Sequence, residues 1–294
     1  MFKLEALGEE SPMTAPFMLH KGLAIYQRRP KNGPAKASVL LLPYPHAHCH
    51  RPMIDEALTD LLLALQCRVI SFDPPAMFSS TRKTDMSLEE MVRCTLESLS
   101  LLEIERPVTV MGHSMAALCA LAFCLRYPEQ VKRLILIGAP SGYRCIRRFG
   151  MPKNWHFWQL EKWQCMYWGA LALFNKQNLA QYKKLGNLVE RVSLVNPSLA
   201  EPWLIEPGDQ QRPPPKRSQW IQTVPTIELL PQLHQIQQPV FLAYGQQDPQ
   251  TPVPVGEEIQ SVLPNAQLTL FPHSGHAPFA DEPEAFKQWL AEVI

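Results

Sequence analysis

Short, uninterrupted apolar runs alternate with longer amphipathic ones along most of the chain. Ala37–Leu42, Cys67–Phe72, Pro107–Met111, Val131–Ile137, Pro239–Tyr244 and Gln267–Phe271 are rich in Val, Ile and Leu and nearly free of charge. Runs of this length and composition, closed by Pro, Gly or Asp, predict strands buried on both faces. Between them, Ile54–Leu65, Ser87–Leu102, Met115–Leu125, Glu257–Leu263 and Pro283–Val293 repeat apolar residues at helical spacing. Ser87 followed three residues later by Glu90 predicts a capping box at the start of the second helix. Strand–helix alternation predicts an α/β fold: a mostly parallel central sheet with helices on both faces. Met18–Gln27 is expected to add antiparallel edge strands.

The rhythm breaks at residues 141–233. This stretch is rich in aromatics, among them Trp155 and Trp158, and is interrupted by Arg212-Pro213-Pro214-Pro215. It predicts a helical cap inserted into a core made of residues 1–140 and 234–294. The aromatics either pack cap against core or line an apolar pocket, and both roles are open to different residues.

Composition adds limits. A net charge of +1 offers no electrostatic footprint for nucleic acid or an acidic membrane surface. No segment approaches the roughly 18 uninterrupted apolar residues of a membrane span. Acids in Met1–Glu10 stand where a signal peptide would be apolar. Seven cysteines, irregularly spaced and without a CxxC pair, suit buried thiols in a reducing compartment. The expectation is a cytoplasmic protein whose oligomeric state is unknown.

In such sheets ligands bind beyond the carboxyl ends of the strands. Three of those loops carry chemistry. Ser114 lies in Val110-Met111-Gly112-His113-Ser114-Met115-Ala116, at a sharp strand-to-helix turn with small residues two before and two after. Asp248 lies in Gly245-Gln246-Gln247-Asp248, and His276 in Ser274-Gly275-His276. A serine nucleophile needs an imidazole to take its proton and a carboxylate to hold that imidazole in the right tautomer. His273 competes with His276 for the base. Asp73, after another strand, reads as a structural brace.

These motifs, in the order Ser–Asp–His, resemble the lidded serine hydrolases of the α/β-hydrolase fold. The resemblance covers residues 37–140 and 238–294. It implies a triad of Ser114, Asp248 and His276, with the first oxyanion donor from the Met115 N–H. At a second acid position known in that family this chain has Gly138-Ala139-Pro140-Ser141, without a carboxylate. The family follows its first core strand with His-Gly-x, where x donates the second N–H. Here the matching residues are Pro43-Tyr44-Pro45, and Pro45 has no N–H. His46 or Ala47 after a loop shift, or a side chain such as Tyr44, is expected to substitute.

His113, Trp155, Trp158 and Phe279 are candidate pocket residues. His46, His48, Cys49 and His50 invite a metal reading, but without a nearby acidic ligand they are read as pocket or surface groups. No cofactor or metal is expected. The implied activity is hydrolysis of a small to medium carboxylic ester, or related acyl compound, with an apolar part. C–C bond hydrolysis, peptidase, lactonase and thioesterase chemistry are alternatives on the same fold. A non-catalytic binding protein with a defective oxyanion hole is another.

Overall fold

The computed structural model describes residues 17–45, 53–75, 77–84, 87–102, 104–149, 187–189, 191–199 and 224–294. The described strands are β1 (Met18–His20), β2 (Leu23–Arg28), β3 (Ala37–Leu41), β4 (Cys67–Phe72), β5 (Val108–His113), β6 (Val131–Ile137), β7 (Val240–Gly245) and β8 (Ala266–Phe271). They form one sheet in the order β1-β2-β4-β3-β5-β6-β7-β8. β1 and β2 pair antiparallel, as does β2 with β4, and all remaining pairs are parallel. The predicted architecture is observed, including the antiparallel edge.

Helices cover both faces. α1 (Met53–Ala64) and the closing helix, numbered α7 below, bury Leu58, Leu62, Phe286 and Leu290 against Val39, Val69 and Ile135. α2 (Leu88–Ser100) and α3 (Met115–Arg126) bury Met91, Leu99, Leu118 and Leu121 against Leu40, Ile70 and Val110 on the other face. Each such side chain contributes about 1.5–3 kcal/mol relative to staying exposed. α4 (Tyr143–Phe149) follows β6. α5 (Val253–Val262), α6 (Pro278–Asp281) and α7 (Pro283–Val293) complete the described helices used below.

Three local expectations shift. β5 runs on to His113, because Gly112 and His113 pair with Leu136 and Ile137. α5 starts at Val253 and not at Glu257, since Pro254 sits in the first turn, where a missing N–H costs nothing. Ser87 does cap α2 by accepting the Glu90 N–H at 3.1 Å. The reciprocal half of the box is absent: Glu90 accepts the Thr84 hydroxyl at 2.9 Å and pairs with Arg93. Most of residues 141–233, including Trp155 and Trp158, lies outside the described residues.

Two polar clusters fix the edge that precedes the site. Asp73 accepts the Tyr26 hydroxyl at 2.6 Å and the Ser79 N–H at 2.9 Å, the bracing role read for it. Arg82 is 9% exposed and grips Glu97 through both Nη atoms, at 2.8 and 2.7 Å. It also donates to the carbonyls of Lys21 and His20, clasping the β1–β2 turn onto α2. The Arg82 hydrogen bonds hold the Glu97 carboxyl below its ordinary value of 4.5, against the opposing effect of burial. Because the folded pKa is lowered, this contribution to stability is present above pH 4.5 and is lost as pH falls through the folded value. Urea unfolding between pH 5 and pH 3 should therefore show a fall in stability that Glu97→Gln reduces.

Five described cysteines, Cys67, Cys94, Cys119, Cys124 and Cys145, are buried and free. Burial pushes the thiols of Cys94 and Cys124 up to about 12, so both stay protonated as small apolar fillers. Among the described residues no helix is long and apolar enough to cross a membrane.

Candidate active site

Ser114 joins β5 to α3 with φ 54° and ψ −123°, a backbone region that a side chain enters only under strain. Its N–H donates to the Ile137 carbonyl at 2.8 Å, which fastens the turn to the end of β6. A Cβ on Gly112 would stand 2.6 Å from the Ala116 carbonyl carbon and the Ala117 nitrogen. The glycine is therefore required for the helix to pass this close, and Ala116, 1% exposed, sits inside that contact. Ser114 itself is half-buried. The N–H of Met115, the first residue of α3, belongs to the group that lacks an intrahelical acceptor. It is placed to receive developing negative charge beside the serine.

Asp248 follows β7 and is 3% exposed. Its Oδ1 accepts the N–H groups of Gln250 (2.7 Å) and Thr251 (3.0 Å), which curls the loop back on itself. Its Oδ2 accepts the Nδ1–H of His276 at 2.7 Å. The Thr251 hydroxyl lies 2.8 Å from the same oxygen. With Nδ1 donating to Asp248, the lone pair of a neutral His276 ring resides on Nε2. That Nε2 is buried and has no hydrogen-bond partner among the described residues. His273 is exposed, and its backbone N–H donates to Glu282 at 2.8 Å. His276, and not His273, is the imidazole that meets the carboxylate.

Several residues that shape this arrangement were not singled out from the sequence. Gly138, φ +51°, leaves room for the imidazole: a Cβ there would meet His276 Cε1 at 3.0 Å. The base loop is fixed from outside the sheet. The His276 N–H donates to the Ser193 carbonyl at 2.7 Å, and the Gly275 N–H to Asp281 Oδ2 at 2.8 Å. Gln250 Nε2 donates to Ser193 Oγ at 2.6 Å, so one segment buttresses both the acid and the base loops. Glycine positions are visible in a sequence, but an accepting backbone carbonyl such as that of Ser193 leaves no residue signature.

Beside this arrangement His113 and Tyr44 are linked. His113 is 3% exposed, and its Nε2 lies 2.7 Å from the His276 carbonyl. A carbonyl only accepts, so Nε2 carries the proton. Burial, then the neighbouring His276, holds the His113 ring well below the usual histidine range and keeps it neutral. Its Nδ1 therefore accepts the Tyr44 hydroxyl proton. That proton is committed to His113. His113 presents neither ring nitrogen to a pocket. Phe279, 4% exposed, packs edge-on against His113 with ring centroids 5.3 Å apart. Pro45 is buried and donates nothing, while His46, His48, Cys49 and His50 lie outside the described residues.

Comparison with known proteins places this geometry. The family model for the alpha/beta hydrolase fold matches residues 46–283. A pimeloyl-(acyl-carrier protein) methyl ester esterase of Nitrosomonas europaea is 32% identical over 183 residues, 60% of this chain and 68% of that one. A Vibrio cholerae protein of the same name is 24% identical over 230 residues, 76% of this chain and 83% of that one. Among solved structures, an esterase from Exiguobacterium antarcticum shares the fold with a TM-score of 0.69 at 21% identity, covering 96% of this chain and 99% of that one. With the family model spanning most of its length, the chain belongs to the alpha/beta hydrolase fold family of hydrolases.

Proposed function

We propose that this protein is a serine hydrolase that cleaves carboxylic esters through an acyl-enzyme formed on Ser114. The observation that carries this reading is His276, whose Nδ1 is held by Asp248 while its Nε2 is buried and has no hydrogen-bond partner among the described residues. Buried polar atoms are nearly always satisfied, so an open imidazole nitrogen on a ring already held by a carboxylate asks for a role. Ser114 stands at the same sheet edge, on the strained turn between β5 and α3.

In this mechanism the Ser114 hydroxyl oxygen attacks the ester carbonyl carbon while His276 Nε2 takes its proton. Asp248 holds the imidazole and stabilises its cation. The Met115 N–H and a donor beyond Pro45 take the oxyanion. Collapse of the tetrahedral intermediate expels the alkoxide, which receives the proton from His276. A water then attacks the acyl-enzyme with His276 as base again, releasing the acid and restoring the serine.

The substrate class is a small to medium ester with an apolar acyl part. The methyl esters named for the bacterial relatives make a carrier-bound methyl ester the first natural candidate. Residues 141–233 are assigned as a cap insertion on the sequence pattern alone, and the protein is assigned to the cytoplasm. The test is labelling with a fluorophosphonate. One equivalent should attach to Ser114, and p-nitrophenyl esters of increasing acyl length should be turned over. A folded protein that leaves the reagent unreacted overturns the reading.

A further inference from the structure

His113 is a buried titratable group that the mechanism above leaves unused. Its ring is enclosed on three sides. His276 lies beside it with ring centroids 4.6 Å apart, Phe279 meets it edge-on at 5.3 Å, and the Tyr44 ring does the same at 5.7 Å. Both nitrogens are engaged by groups from other loops. Nε2–H donates to the His276 carbonyl at 2.7 Å, and Nδ1 accepts from the Tyr44 hydroxyl. Because the tautomer is fixed by the carbonyl, the direction of the whole chain is fixed: Tyr44 O–H to His113, then His113 N–H to His276.

The three residues come from three places. Tyr44 lies just past β3. His113 is the last residue of β5, adjacent to Ser114. His276 stands in the loop after β8. Pro45, which follows Tyr44, has no N–H with which to anchor this segment.

We infer that Tyr44 and His113 are positioning residues, forming a hydrogen-bonded relay that holds the segment just after β3 and the His276 backbone in register with Ser114. The inference rests on the serine-hydrolase reading. Each acts through the groups it holds. Displacement of a catalytic group by about 1 Å costs on the order of 100-fold in rate. The relay therefore acts on kcat, with binding of the acyl part little affected.

The experiment uses the full chain and a p-nitrophenyl ester, with fluorophosphonate labelling run in parallel. Tyr44→Phe keeps the ring and removes only the hydroxyl. His113→Leu removes both links. His113→Gln restores an N–H donor toward the His276 carbonyl. Tyr44→Phe and His113→Leu should each lower kcat by about 10- to 100-fold with KM within about twofold. His113→Gln should recover part of the loss. Adding Tyr44→Phe to His113→Leu should cost nothing further, because the two share one path.

Three results overturn the relay: Tyr44→Phe with parental kcat, His113→Gln no better than His113→Leu, or losses that multiply in the double variant. If His113→Leu fails to fold, Tyr44→Phe and the added Tyr44→Phe/His113→Gln pair decide. Failure of the parent to label at Ser114 defeats the serine-hydrolase reading itself, whereas a labelled parent with a fully active Tyr44→Phe defeats the relay alone.

Discussion

Replacing Ser114 by glycine is expected to abolish ester turnover and to stabilise the protein at the same time. On the serine-hydrolase reading, loss of the nucleophile costs about 10⁴- to 10⁶-fold in kcat. What survives comes from binding and the oxyanion donors alone. The stability change has the opposite sign for a separate reason. Ser114 is held at φ 54° and ψ −123°, where a Cβ is strained and glycine is not. Strain of this kind is worth about 1–3 kcal/mol. Ser114→Ala keeps the Cβ, so it should lose the same activity with little change in melting temperature. Ser114→Gly should melt a few degrees higher than Ser114→Ala, on the order of 2–4 °C per kcal/mol for a chain of this size. Thermal unfolding of the pair, read beside the ester assay, separates the two effects. Equal melting temperatures would mean that the turn is relaxed and that the strain has no part in presenting the serine.

The sequence carried the strand frame because the parallel strands are buried on both faces. Cys67–Phe72 and Val131–Ile137 emerge with the bounds read from their apolar runs. The antiparallel edge at Met18–Arg28 was visible because its neighbours leave it at the rim of the sheet. At the site, sheet order alone put Ser114, Asp248 and His276 on one edge, and the Asp248–His276 contact follows. Nothing in the sequence could place Nε2 relative to the serine. That depends on side-chain torsions, and no hydrogen bond joins Ser114 to Nε2 among the described residues. Tyr44 illustrates the same limit. Its hydroxyl was a fair oxyanion candidate by position, yet a histidine 69 residues away takes the proton. The capping box failed in its second half for a similar reason, since Thr84 and Arg93 compete for the Glu90 carboxylate. Contacts between loops that meet only in the folded state decide these cases.

Gly245→Ala is expected to be the most damaging single methyl added to the site. Gly245 ends β7, where its residue partner in β8 is Phe271, and the base loop crosses directly over it. A Cβ would stand 2.0 Å from the Gly275 carbonyl oxygen and 2.3 Å from that of Ser274. Both neighbours are backbone, so no rotamer can relieve the contact. The loop bearing His276 must lift away from the loop bearing Asp248. That loop cannot lift freely, because the Ser193 carbonyl and the Asp281 carboxylate hold its N–H groups from the other side. Overpacking of this kind costs about 1–3 kcal/mol in stability. A displacement near 1 Å at the base removes about 100-fold in rate. Gly275→Ala would press on the same loop from the opposite side, 2.1 Å from the Ser193 carbonyl oxygen. The two changes share the loop, so their effects should be strongly non-additive. Melting temperature and fluorophosphonate labelling rate of the two single variants and the double variant give the measurement. A Gly245→Ala protein that labels at the parental rate would show that the acid–base contact tolerates the lift, and that the glycine serves only the packing of the sheet edge.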